Sequence, residues 1–562
     1  MQVENSRRLT GPNLYAASPG AIAEVTWRAG QGDPAVAIAI WREQARRMLE
    51  AIGWSGSELY ARPYRGGAAL FLTAPIDLLM PATEVNEWAI ASAVNVLAGQ
   101  APAPLEPALQ ALLAAIEAAR WPGLAQLAGA ARARRALFLL DDAGCTLGVG
   151  PSARSFARGD TLPAPSELAW STLRTMPIGL ITGTNGKTTC SRLVTRMARL
   201  AGRRPGNTSS DGVLVDEQLV ERGDCSGPAG ARTVLRHPDV DIAVLETARG
   251  SILRRGLAVE RCDAALITNV TVDHLGDYGI DDLATMARVK ALVARGADTV
   301  ILNAADPALV ELAPTLAGEL VYFALDPAAP VISAHRATGG EAWFVRDGQL
   351  VRARGTVEHA LVAEAEVPIT FGGLARYNTE NALGSAALAR ALGLPETAIV
   401  AGLRSFTSSQ RDNPGRGNQL DLGGVQVLLD FGHNPAAVRA VLVLARAMVG
   451  SGRLFVAIGM AGDRPDDELA AVAEEIAATR PDAVYLRDLP EYLRGRDPGE
   501  VPRILRNGLV AAGLPSAAII DAADELASIR QALAAARPGD LVLGLIHLDQ
   551  GVDTWLADQG AR

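Results

Sequence analysis

The stretch GLITGTNGKTTCSRLV, residues 179–194, runs from apolar residues through two glycines to a lysine and two threonines. A glycine-rich turn between a buried strand and a helix aims backbone N–H groups at a phosphate, and the helix N-terminus adds positive potential. In that reading Gly183, Thr184, Asn185, Gly186 and Thr189 frame the turn, and Lys187 neutralises the β- and γ-phosphates. The Thr188 hydroxyl is then placed to ligate Mg²⁺. The spacing is a shortened version of the usual eight-residue pattern, with Ile181 where that pattern has glycine. Further on, Glu246 closes the apolar run DIAVLE and could complete a cation site with Thr188. Asp273 and His274 follow the apolar run DAALITNV, and Lys290 stands in a helical stretch beyond them. Spacing alone makes Lys290 an exposed helix lysine.

These residues need elements to hold them. PIGLIT, DIAVLET, DAALITNV and DTVILNA are short apolar runs separated by helical stretches, the pattern of a parallel sheet. Asp347-Gly348 interrupts it as a β-hairpin turn. From about residue 412 the alternation resumes with VQVLLDFG, RLFVAIGM, DAVYLRD, AAIIDA and DLVLGLIH. The expected class is α/β: a central P-loop parallel-sheet domain (169–411) and a Rossmann-like α/β C-terminal domain (412–562). A smaller α+β domain (1–168) precedes them and ends in GPSARSFARGDTLPAPSELAW, read as a linker.

The chain has 562 residues, enough for several cores, and a net charge of −9 that argues against general nucleic-acid binding. Cys145, Cys190, Cys225 and Cys262 form no metal-type spacing. The start MQVENSRRLTGPNLY lacks the apolar core of a signal peptide, and no uncharged run is long enough to span a bilayer. A cytoplasmic protein with no membrane partner, forming a homo-oligomer, is the expectation.

The ordered series GTNGKTT, ETARG, TNVTVDHLG, LNAADP, RYNTENALGSAALA, NPGRGN and DFGHNP resembles the Mur ligase family of ATP-dependent amide-forming enzymes. TSSDGVLV, RGDCSGPAGARTVL, ETARGSILRRGL and AGDRPDDE are similar to the C-terminal half of the cyanophycin synthetases within that superfamily. GPNLY and APIDLLMPATEVNEWA resemble those enzymes' N-terminal domain, while the intervening ATP-grasp domain has no room here. The resemblance implies ATP on Lys187 and its loop, one Mg²⁺ on Thr188 and Glu246, and a second beside His274. It further implies a carbamylated Lys290, nucleotide contacts from Asn378 and Asn381 at the start of the last central helix, a phosphate contact from Arg416 and a ribose contact from Asp430. His433 and Asn434 share the Asp430 loop, and residues 404–417 form the hinge. The carboxylate substrate would approach Ser209, Ser210, Asp211, Asp224 and Arg249. An amino acid amine would meet Asp463, Asp466 and Asp467, unless these are ordinary acids of a helix N-terminus. An arginine joined to a β-aspartyl carboxylate is one implied reaction; a folylpolyglutamate-like or poly-γ-glutamate-like ligation, or a silent ATP-binding regulator, are the others.

Overall fold

The computed structural model describes residues 1–27, 33–547 and 551–561. Its centre is an 11-stranded sheet. The strands Pro205–Ser209, Ile242–Glu246, Ile178–Thr182, Cys262–Ile267, Ala297–Asn303, Glu319–Ala324 and Glu341–Arg346 lie side by side and parallel. Antiparallel strands close both edges, Gly212–Val215 and Gln218–Arg222 on one side, Gln349–Arg354 and Val357–Ala363 on the other. The inner strands are apolar except near their ends, at Thr182, Glu246 and Asp263, because helices cover both faces and leave no solvent side to alternate toward. Asp347 and Gly348 form the expected hairpin turn, both with positive φ.

A 6-stranded sheet follows, ordered Arg416–Leu422, Val425–Asp430, Leu541–Leu545, Leu454–Ile458, Ala483–Leu486, Ile519–Asp521. Only its first pair is antiparallel. Both sheets point the C-terminal ends of their parallel strands at one another, where open α/β sheets take ligands.

The N-terminal region is a 4-stranded antiparallel sheet backed by the helices Pro34–Ala51 and Leu79–Leu97. Its GPNLY turn is built by Asn13, whose side-chain oxygen accepts from the amides of Tyr15 and Ala16. That turn is stitched to the central region: Thr10 N donates to Arg255 O and Leu257 N to Pro12 O, each 2.8 Å. The stretch expected to be a linker is partly structured. Arg154–Ala157 is the outer strand of a 3-stranded sheet with Phe138–Leu140 and Gly144–Leu147. Leu168 packs with Trp121, Leu124 and Leu127 in a small core of its own. The strand was hidden because four residues are too few to show an alternation.

Candidate functional site

The wholly buried strand Ile178–Thr182 delivers the chain to Gly183, and the helix Lys187–Leu200 leaves from Gly186. Gly183 has φ 151° and a Cβ there would lie 1.8 Å from Thr268 Oγ1; Gly186 has φ 87° and its Cβ would lie 2.2 Å from Asn381 Oδ1. Only glycine fits either place. The neighbouring strand end pins the loop: Thr184 N donates to Asn269 O, and Asn185 N to Asn269 Oδ1, both 2.9 Å. Thr268 Oγ1 donates to Asn185 O at 2.6 Å. Lys187 Nζ folds back to donate to Thr184 O at 2.9 Å, a bond a bound phosphate would replace. Thr188 Oγ1 donates to Glu246 Oε2 at 2.9 Å and lies 3.4 Å from Ser210 Oγ. Glu246 is 3% exposed. Burial pushes its carboxyl up, against the pull of Lys187 and Thr188.

Lys290 is not the exposed lysine its spacing predicts. It ends the helix Leu283–Lys290 at 4% exposure and has no hydrogen bond or ion pair among the described residues. Burial, then the positive charge of Lys187, lowers its pKa to about 7, with Asp273 opposing. His274 sits at φ 55°, its Nδ1 3.2 Å from Asp277 Oδ2 and its Nε2 3.9 Å from Asp273 Oδ1. Arg249 holds this loop by donating to Asp277 Oδ2 at 2.9 Å and to His274 O at 3.3 Å. Asp273 is partly buried, and its desolvation alone would raise its pKa; His433, Arg464 and His274 nevertheless hold it well below the usual carboxylate range.

Among the described residues no three His, Cys, Asp or Glu side chains converge on a metal-sized point. A magnesium ion needs fewer protein groups than that, because it keeps waters and takes phosphate oxygens beside one or two carboxylates. Thr188 with Glu246 therefore fits one such ion. His274 and an unmodified Lys290 do not fit a second, since an ammonium repels cations.

From the other side, Asn381 Nδ2 donates to Asn378 Oδ1 at 3.1 Å and Asn378 Nδ2 to Ile369 O at 2.9 Å. Their helix, Arg376–Ala391, is capped at Ala375, so neither asparagine is the cap, and Glu396–Ser405 follows it as a further helix, not foreseen. The Arg416 guanidinium lies 4.4 Å over the Phe431 ring and its residue faces Asp430 across the strand pair. Burial raises Asp430 to about 6 despite Arg416, and burial lowers His433 to about 4 despite Asp273. Asn434, fully buried at the N-cap of helix Pro435–Val449, exchanges two amide bonds with Asn185 of the P-loop, 3.2 and 3.0 Å. Arg464 Nη1 reaches Asp273 Oδ1 at 2.5 Å, a second bridge between the two sheets.

The expected substrate residues fare unevenly. Ser210 stands beside Thr188, and Arg249 beside His274. Ser209 Oγ donates to Gly212 O, Asp211 pairs with Arg192 at 2.7 Å, and Asp224 accepts from Ser226 Oγ. Asp466 and Asp467 lie in the first turn of helix Asp466–Ala478, the common use of such acids; Asp463 sits in the loop before it. Reading the sequence missed Asn269 and Arg464 as the groups that hold loop and domains together. Both lay inside motifs already noticed, TNVTVDHLG and AGDRPDDE.

The chain is 37% identical over 361 residues to the cyanophycin synthetase of Synechocystis, covering 64% of this chain and 41% of that protein. With the cyanophycin synthetase of Crocosphaera subtropica it shares 38% over 339 residues, 60% and 38% of the two chains. It thus spans about two-fifths of the length of these relatives. The UDP-N-acetylmuramate–L-alanine ligase of Clavibacter sepedonicus is 28% identical over 275 residues, 49% of this chain and 50% of that protein. Among solved structures, E. coli FolC in complex with DHPP and ADP aligns at TM-score 0.49 and 20% identity, over 66% of this chain and 85% of that one. Residues 181–389 match the Mur ligase middle domain and residues 415–545 the Mur ligase glutamate ligase domain. With both domains present, in order and across most of its length, the chain belongs to the Mur ligase family.

Proposed function

We propose that the protein is an ATP-dependent ligase that joins a substrate carboxylate to an amino acid amine. The observation that carries this reading is the 2.9 Å contact between Thr188 and the buried Glu246 carboxylate, beside Lys187 at the mouth of a glycine turn. The carboxylate oxygen attacks the γ-phosphorus of ATP, the bond to the β,γ-bridging oxygen breaks, and ADP leaves an acyl phosphate. The amine nitrogen then attacks the acyl carbon, phosphate departs and the nitrogen releases a proton. Two anions must approach before any bond forms, so charge neutralisation dominates the barrier. Magnesium on Thr188, Glu246 and the phosphate oxygens would supply part of that neutralisation. Lys187 supplies more when it trades Thr184 O for phosphate. Asn378, Asn381, Arg416 and Asp430 orient the nucleotide in this reading, and the Asn185–Asn434 and Arg464–Asp273 contacts keep water from the acyl phosphate.

A lysine with pKa about 7 is a neutral amine in a substantial fraction of molecules near neutrality, where an ordinary lysine is almost wholly ammonium. Its nitrogen can add to CO₂ and lose a proton, giving a carbamate that turns a repelling group into a cation ligand beside His274. The proposed substrates are a β-aspartyl peptide and arginine, by similarity to the named cyanophycin synthetases. Incubation with ATP, magnesium, aspartyl peptides and each amino acid, followed by mass spectrometry, tests this. Arginine-dependent phosphate release with a product heavier by arginine less water is the expected result. Release with glutamate on a glutamyl acceptor would replace the substrate assignment, and no release with any pair would overturn the ligase itself.

A further inference from the structure

At the opposite end of the P-loop strand lies a cavity of about 480 Å³, enclosed by the N-terminal sheet's loops, the helix Leu124–Ala133, the residues before Ile178 and the start of strand Cys262–Ile267. Pockets that take small organic ligands run from about 300 to 1,000 Å³. Ile76, Leu137, Phe138 and Met176 give its walls their apolar part. Its acidic groups are all engaged: Glu260 pairs with Arg132, Asp298 with Arg261, and Asp263 accepts from Ile178 N. Its remaining cations are not. Arg135, Arg174 and Arg232 line it without a carboxylate partner among the described residues.

Arg232 is the telling one. It is only 9% exposed, its Nη2 donates to Thr10 Oγ1 at 2.9 Å, and its Nε has no hydrogen-bond partner among the described residues. A guanidinium is taken out of water only at considerable cost unless an anion meets it. Among the described residues no carboxylate lies within ion-pair distance of Arg232, and the nearby Asp141 and Asp142 are paired with Arg236 and Arg8. A buried guanidinium with no ion-pair partner, on the wall of a cavity lined as much by polar as by apolar surface, calls for a ligand that brings both an anion and an apolar body.

We infer that this cavity binds a small organic anion, a carboxylate or phosphate monoester with an apolar body, its head on Arg232 and its body along Ile76, Phe138 and Met176. The site is separate from the nucleotide site. The strand Ile178–Thr182 spans roughly 16 Å at the usual rise per residue, with the cavity at its start and Gly183 beyond its end.

Isothermal titration of the full chain with octanoate, octyl phosphate and octylamine tests the assignment. One octanoate or octyl phosphate per chain should bind, the tighter of the two showing whether the head is a carboxylate or a phosphate, and octylamine should not bind. Arg232→Met should weaken the anion at least tenfold and Arg232→Lys by less, while excess AMPPNP should leave the affinity unchanged. Should circular dichroism show Arg232→Met unfolded, the exposed Arg174→Met serves instead, with a loss of about threefold or more. Failure of both anions to saturate, equal binding of octylamine, or affinity indifferent to Arg232→Met and Arg174→Met would each overturn the inference.

Discussion

At the scale of single residues, Lys187 and Lys290 illustrate opposite lessons. The position of Lys187, first in a helix after a glycine turn, was readable from the sequence because glycines and the residues around them punctuate strand and helix. Lys187→Ala should lower ATP-dependent phosphate release at least about a hundredfold. It should leave the thermal midpoint nearly unchanged, since its side chain makes one hydrogen bond to its own loop. Lys290 was not legible from spacing, because burial is set by what packs over a helix end, and that is tertiary information. Its ammonium is most costly to hold below pH 7 and costs less as pH rises toward the ordinary lysine value. Lys290→Met should therefore unfold no more readily than the parent near pH 7, yet lose activity. Partial recovery of a Lys290→Ala variant by added short carboxylic acids would show that a carboxylate-like group is needed there; activity equal to the parent would make Lys290 a bystander. His433 carries a sign of its own. The unfolded chain takes up a proton near pH 6.5 that the partly buried imidazole refuses until about 4, so stability falls as pH drops across that window. Denaturant unfolding of the parent and of His433→Gln should show that the loss between pH 6.5 and 4.5 is smaller in the variant by about 2 kcal/mol.

At the scale of elements, the parallel strands were readable and the irregular ones were not. DIAVLET and DAALITNV are continuous apolar runs because both of their faces are covered, and such runs announce themselves. Arg154–Ala157 is short and mostly exposed, so its composition is that of a loop and only its partner strand makes it a strand. Candidate site residues followed the same division. Glu246 and Gly183 end or follow buried strands and were found, whereas Asn269 acts through a backbone carbonyl as well as its side chain, which no residue type advertises. Gly186→Ala should test how tightly the loop and the helix Arg376–Ala391 are fitted. With a positive φ and Asn381 Oδ1 2.2 Å from the new methyl, it should cost about 1–3 kcal/mol and lower the thermal midpoint as well as activity.

At the scale of the whole molecule, two sheets face one another across the P-loop, joined by the Asn185–Asn434 amide pair and the Arg464–Asp273 bridge. Arg464→Met leaves the partly buried Asp273 without its nearest cation, and small-angle scattering should register a larger radius of gyration for the variant without nucleotide. An unchanged radius would mean that the remaining contacts, the asparagine pair and the packing of Phe371, Ala375 and Tyr377 on the C-terminal core, suffice to hold the sheets together. The GPNLY turn ties a third body to this pair through the backbone of Arg255 and Leu257. Anyone trimming the chain to its two Mur ligase domains by starting at residue 169 will strip a carbonyl from the Leu257 amide and bare the surface that Thr10 and Pro12 now cover. Such a truncation should be poorly soluble when expressed alone, and supplying residues 1–168 as a separate polypeptide should restore it.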